Sequence, residues 1–220
     1  PWENLKFNTS GIEEVKRKFF GTLFNTYSFF SLYANIDKFK FTGSNFNIEK
    51  LDKLDKWILS ELNTLILNCS KNFDAFEPTK VCRDIQFFVV NKLSNWYVRL
   101  SRRKFWKGEY NESKVSAYQT LYECLEKIAI ISSPIIPFYS NRLFNDLNKI
   151  SKRHKIESVH LASFPNASLE IINKKLENQM SIAQEITSMI LSLRKQEKIR
   201  VRQPLPRALV PVNDKLTYEN

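Results

Sequence analysis

Apolar residues return at steps of three and four along most of this chain, a period that admits little besides α-helix. Ile12, Val15, Phe19, Leu23, Tyr27 and Phe30 predict a first helix over about 12–34. A polar connector with Gly43-Ser44-Asn45 follows, and Leu54, Ile58, Leu62, Leu65, Cys69 and Phe73 predict a second helix. Pro78 suits the first turn of a third, where its missing N–H costs nothing. That helix is expected to turn Ile85, Val89, Leu93, Trp96 and Leu100 inward. A fourth follows Gly108 and Asn111-Glu112-Ser113, with Tyr118, Leu121, Leu125 and Ile128 buried. Ser133-Pro134 and Pro137 break the chain before a shorter fifth, over about 139–149. The stretch from Ser158 to Ala162 reads as extended, closed by Pro165. A sixth helix is expected over about 168–198, with Ile172, Leu176, Met180, Ala183, Ile186, Ile190 and Leu193 inward. Beyond it, Arg200 to Val212 alternates and holds three prolines, so it reads as a short strand or linker. Only 4 Gly stand against 17 Phe, which favours bulky packing over tight turns. The expected fold is all-α, a bundle of long, mostly antiparallel helices with a short extended segment at its C-terminal end.

Several function classes fall away. No stretch reaches the ~20 consecutive apolar residues of a membrane span, and the start does not read as a signal peptide, so a soluble, cytoplasmic protein is expected. Cys69, Cys82 and Cys124 are isolated and odd in number, and His154 and His160 lie outside any Cys-rich stretch. A zinc site is not expected, and the cysteines read as small hydrophobes of a reducing compartment. There is no Gly-rich phosphate loop and no Ser–His–acid arrangement. Glu13-Glu14 sits at a helix start, where the macrodipole accounts for it better than acid–base work. The chain reads as a binding module without catalytic residues.

What it binds is indicated by where its charge lies. The net charge is +11. Lys92, Arg99, Arg102, Arg103, Lys104 and Lys107 give +6 with no acid between them, and the stretch from Arg194 to Arg207 gives +5. Those two stretches hold the whole excess, so the rest of the chain is neutral. Two concentrated clusters imply a polyanionic partner, nucleic acid first.

On an α-helix at about 100° per residue, Asn95, Arg99, Arg103 and Trp106 share one side, with Lys92 and Arg102 flanking them. Guanidinium groups fork to phosphates and stack on bases, and an exposed Trp offers a platform for an unstacked base. The expected RNA-binding residues are therefore Lys92, Asn95, Arg99, Arg102, Arg103, Trp106 and Lys107, with Arg194, Lys198, Arg200 and Arg202 from the second cluster. Trp96 itself reads as core, and the competing reading pairs some arginines with acids of neighbouring helices, Arg99 with Glu123 for example.

The run Leu93-Ser94-Asn95-Trp96-Tyr97-Val98-Arg99, followed by Ser101-Arg102-Arg103-Lys104-Phe105-Trp106, closely resembles the anticodon-domain stretch of isoleucine–tRNA ligases. Pro1-Trp2-Glu3-Asn4-Leu5-Lys6-Phe7 resembles the segment that enters that domain. Tyr27-Ser28-Phe29-Phe30 with Tyr33-Ala34-Asn35-Ile36-Asp37 is similar to its first helix, and Leu54-Asp55-Lys56-Trp57-Ile58-Leu59-Ser60 to its second. Ala117-Tyr118-Gln119-Thr120-Leu121-Tyr122-Glu123, Ser133-Pro134-Ile135-Ile136-Pro137-Phe138 and Val201-Arg202-Gln203-Pro204-Leu205 follow in the family's order. The second-helix motif is shared with valine and leucine ligases. The Asn-Trp-Tyr-x-Arg run and Arg202-Gln203-Pro204-Leu205 favour isoleucine.

The resemblance implies a bundle of the class I synthetase anticodon-binding type, cut from a ligase that charges tRNA with isoleucine. It implies a connector over 1–11 from an absent catalytic core, the helical domain over 12–198, and an exit segment over 199–220 toward an absent or truncated module. The family's His-x-Gly-His turn, Lys-Met-Ser-Lys-Ser loop and editing-site threonines are not in this sequence. ATP and Mg²⁺ would therefore serve the parent enzyme, with no cofactor in this fragment. The implied partners are isoleucine-accepting tRNA and the missing domains of the same polypeptide, with no membrane and a monomeric state. The alternatives are a valine ligase fragment, a helical protein scaffold with a large exposed apolar patch, and a membrane-surface helix protein.

Overall fold

The computed structural model describes residues 8–41, 43, 51–107 and 109–210. The expected entry segment at Pro1–Phe7, the connector residues Ser44 and Asn45, Gly108 and the end of the exit segment from Pro211 lie outside the described residues. The fold is all-α, and no strand occurs among the described residues. The chain divides after Ile172 into two compact units, a division that the helical period alone does not announce.

The first unit opens with one long rod in three parts: α1 (Thr9–Val15), a π-helical turn at Lys16–Phe20, and α2 (Gly21–Ile36). Phe19, Leu23 and Phe30 are buried as the period predicts, whereas Ile12 and Val15 are exposed. Next come α3 (Lys53–Asp74) and a second three-part rod of α4 (Pro78–Phe87), a π-helical stretch at Phe88–Val98 and α5 (Arg99–Trp106). Then α6 (Glu112–Ser132) and α7 (Pro137–Ser151) complete the set. Pro78 and Pro137 occupy helix starts, and Asn111 caps α6 by accepting from the Lys114 N–H at 3.0 Å.

Side-chain ties show that neighbouring helices run antiparallel. Asn72 donates to Asp84 at 3.1 Å near one turn, Lys92 pairs with Glu61 at 3.0 Å in the middle, and Tyr97 reaches Asp55 at the far end. The same pattern joins α6 to α7, from Ser132–Ser140 at 2.9 Å near the turn to Tyr122–Ser151 at 2.6 Å. The core centres on α6, which packs on α2, α3, α4, α5 and α7. Its Tyr118, Leu121, Leu125 and Ile128 are fully buried, as their spacing predicts.

Two expectations are corrected here. Ser158–Ala162 is not extended: Val159–Leu161 forms a 3₁₀ turn. Ser158 caps it, and Asn141 Oδ1 accepts from Ser158 Oγ and the Val159 N–H, both at 3.0 Å. With those donors satisfied by side chains and no strand beside it, the segment curls. In the second unit the last helix is α8 (Lys174–Gln196), shorter at its start than expected and with no buried residue. Leu176, Met180, Ile186 and Ile190 are only partly buried, and Ala183 and Leu193 are exposed, so none of them is core.

With so few glycines, the left-handed position after α2, α3 and α8 falls to Lys38, Phe76 and Lys198. After α8, Ile199 N–H donates to the Arg194 carbonyl at 2.8 Å and Lys198 N–H to that of Lys195 at 3.2 Å. That pair of bonds closes the helix end by the Schellman pattern.

Candidate nucleic-acid interface

The second rod determines which of the predicted side chains reach solvent. Val81, Ile85, Val89, Leu93, Tyr97, Ser101 and Phe105 are all buried, a row of four-residue steps. A plain α-helix overshoots a full turn by about 40° in every four residues, so such a row would wind away from the core. The i→i+5 ladder over Phe88–Val98 widens the turn and takes that drift back.

The inner stripe thereby shifts by one position from the expected one. Tyr97 is fully buried where Trp96 was expected, Trp96 is only partly covered, and Leu100 is 54% exposed. The same shift turns Lys92 inward, which removes it from the expected binding face. Lys92 is buried against Glu61 at 3.0 Å, with its ammonium 5.8 Å from the Trp57 ring and 5.6 Å from that of Phe87.

Lys104 is also committed internally. Its ammonium lies 2.5 Å from Asp52 and 3.4 Å from Asp55, at the start of α3. Asp55 is fully buried and accepts from the Tyr97 hydroxyl at 2.5 Å. Burial pushes the Asp55 carboxyl above its ordinary range, against the opposing pull of Tyr97 and Lys104. Burial, together with the Asp55 charge, likewise drives the Tyr97 phenol well above its usual value. Beside α6, Lys114 and Tyr118 hold Asp37; burial would raise that carboxyl, but these partners outweigh it and leave it lowered.

The other members of the basic run face outward. Asn95, Arg99, Arg103 and Lys107 are exposed, and their side chains have no partner among the described residues. Arg102 is exposed with its guanidinium 5.6 Å from the Phe29 ring of α2. Trp106 is 61% exposed at the end of α5. The pairing of Arg99 with Glu123 does not occur: that carboxylate takes Arg153 at 2.7 Å and Lys127 at 3.6 Å. Of six cations between residues 92 and 107, two are neutralised and four remain available. An open cleft of about 420 Å³ adjoins them, lined by Arg103, Lys104, Lys107, Glu109, Asn111, Ser113 and Lys114.

In the second unit the basic cluster divides similarly. Arg194 Nη1 donates to the carbonyls of Arg200 and Gln203, both at 2.9 Å, so it folds the chain back after α8. Lys198, Arg200 and Arg202 are exposed.

This arrangement of outward guanidiniums beside an open Trp can be set against known families. A family model described as the anticodon-binding domain of tRNA ligase matches residues 55–209. The chain belongs to that family. It is 54% identical over 212 residues to an isoleucine–tRNA ligase of Cytophaga hutchinsonii, covering 96% of this chain and 19% of that protein. An isoleucine–tRNA ligase of Bacteroides thetaiotaomicron is 52% identical, over 97% of this chain and 18% of its own length. One from Dehalococcoides mccartyi is 42% identical, over 93% and 20%. The chain thus spans about a fifth of these curated relatives.

Within this anticodon-binding domain, the sequence reading missed the supports of the interface. Phe29 beneath Arg102, and the Asp52, Asp55 and Glu61 carboxylates that neutralise Lys104 and Lys92, carry no local signal. They become partners only because α3 and α2 lie beside the second rod.

Proposed function

We propose that this chain holds the anticodon stem-loop of an isoleucine-accepting tRNA, as part of an isoleucine–tRNA ligase. The observation that carries this reading is the set of outward Arg99, Arg103 and Lys107 beside exposed Trp106 at one helix end. Cations without partners among the described residues suit backbone phosphates, which position an RNA, and the indole suits a splayed base, which helps identify it. Arg102 over Phe29 and, in the second unit, Lys198, Arg200 and Arg202 belong to the same role.

The whole enzyme would activate isoleucine with ATP and Mg²⁺ and esterify its tRNA in the cytoplasm, as a monomer. That chemistry belongs to residues outside this chain. Among the described residues, no cluster of three His, Cys, Asp or Glu is placed to hold a metal ion, and no helix is long and apolar enough to cross a membrane. In this reading residues 1–11 lead in from the catalytic part, 12–198 carry the RNA-holding helices, and 199–220 lead toward a further module.

The test is a titration of this chain with hairpins copying isoleucine and valine anticodon stem-loops at two salt concentrations. The expected result is tighter binding of the isoleucine hairpin and a log–log salt slope near −2 to −3, at about −0.7 per single-strand phosphate for three or four contacts. Equal affinity for the two hairpins would overturn the isoleucine assignment, and a flat salt dependence the RNA-binding role.

A further inference from the structure

The buried row of the second rod has an exposed counterpart two positions away. Asn91, Asn95, Arg99, Arg103 and Lys107 are all exposed, each two positions on from the buried Val89, Leu93, Tyr97, Ser101 and Phe105 in turn. In a plain α-helix four such steps would carry Lys107 about 160° round from Asn91. Here the steps divide between the π-helical stretch and α5, so overshoot and shortfall offset and the row from Asn91 to Arg103 stays on the exposed side, with exposed Lys107 following as the extended C-cap of α5. The widened ladder that buries Tyr97 is therefore also what lines up the outer row.

The chemistry changes along that row. Its C-terminal three members are cations, and its first two are carboxamides with no side-chain partner among the described residues. No acid interrupts it. Within α5 the step from Arg99 to Arg103 spans about 6 Å along the axis, comparable to the separation of successive phosphates in an extended single strand. Arg99, Arg103 and Lys107 match backbone charge. A carboxamide carries no charge for phosphate, but it offers a donor and an acceptor in one plane, the pattern that pairs with a base edge.

We propose that Asn91 is a base-reading residue of this interface, one four-residue step before Asn95 and two before Arg99 on the second rod. This rests on the RNA-binding role argued above. It assigns the cationic end of the row to phosphates and the amide end to the edge of an unpaired base.

The experiment titrates wild-type chain, Asn91→Ala and Arg99→Ala with a panel of anticodon hairpins, each altered at one loop base. Asn91 is exposed, so its removal leaves the thermal melt unchanged, which the same samples verify. The expected result is that Asn91→Ala weakens the cognate hairpin about tenfold and loses its discrimination at one loop position, keeping it at the others. Arg99→Ala should weaken every hairpin by a similar factor. If Asn91→Ala binds like wild type, or weakens all hairpins uniformly, the base-reading assignment is overturned while the RNA-binding role stands. If the wild-type chain binds no hairpin, both are overturned.

Discussion

Replacing Tyr97 by phenylalanine isolates one buried contact without opening a cavity. The Tyr97 hydroxyl donates to Asp55 at 2.5 Å, and both residues are fully buried. Tyr97→Phe keeps the ring in place and leaves the carboxylate short of one donor. A hydrogen bond to a charged group contributes about 1.5–3 kcal/mol, so the loss should be near 2 kcal/mol. At about 2–4 °C per kcal/mol for a domain of this size, the melting temperature should fall by about 4–8 °C. The pH dependence gives a second reading. Burial already holds the folded Asp55 carboxyl above its ordinary value, and Tyr97 opposes that shift. An acid raised in this direction favours the fold while protonated and loses that contribution as pH rises through the folded value. The Tyr97→Phe substitution raises it further, so the gap between variant and wild type should be largest near neutral pH. It should shrink as the pH falls toward the ordinary carboxylate range. Circular dichroism melts of both proteins at pH 7 and pH 5 test this. Equal melting at pH 7, or a gap that widens in acid, would refute the claim that Tyr97 stabilises a charged Asp55.

The outward residues should behave in the opposite manner. Arg99→Ala and Arg103→Ala should each leave stability within about 0.5 kcal/mol of wild type, while reducing the salt slope of hairpin binding by about 0.7; unchanged slopes would show that neither touches phosphate. Trp106→Ala should lose about 1–3 kcal/mol of binding with no change in melting, and a variant that melts early but binds normally would place the indole in the core. Lys92→Ala removes the partner of Glu61, which then keeps the Trp57 Nε1 donor at 3.0 Å. It should cost about 3 kcal/mol of stability and leave hairpin affinity unchanged, whereas a loss of affinity alone would return Lys92 to the interface.

That this chain is helical, roughly where its first-unit helices fall, and that its excess charge lies in two clusters can all be read from the order of its residues. Those are local properties. The spacing of Leu121, Leu125 and Ile128 and the prolines at 78 and 137 act within a few residues, so they survive translation into structure nearly unchanged. Which side of the second rod faces out follows from its packing and its π-helical stretch instead. A helical period read at 3.6 residues per turn cannot anticipate a stretch of i→i+5 bonding, and that stretch moved the inner stripe from Trp96 and Leu100 to Tyr97, Ser101 and Phe105. Packing also decides which cations remain available. Lys92 and Arg99 are alike in sequence, seven positions apart in one basic run, yet one meets Glu61 and the other meets solvent. The acid that neutralises Lys92 sits on α3, and that for Lys104 is contributed by the start of the same helix. Charge is a property of a residue, but whether a charge is spent inside the fold depends on what packing brings beside it.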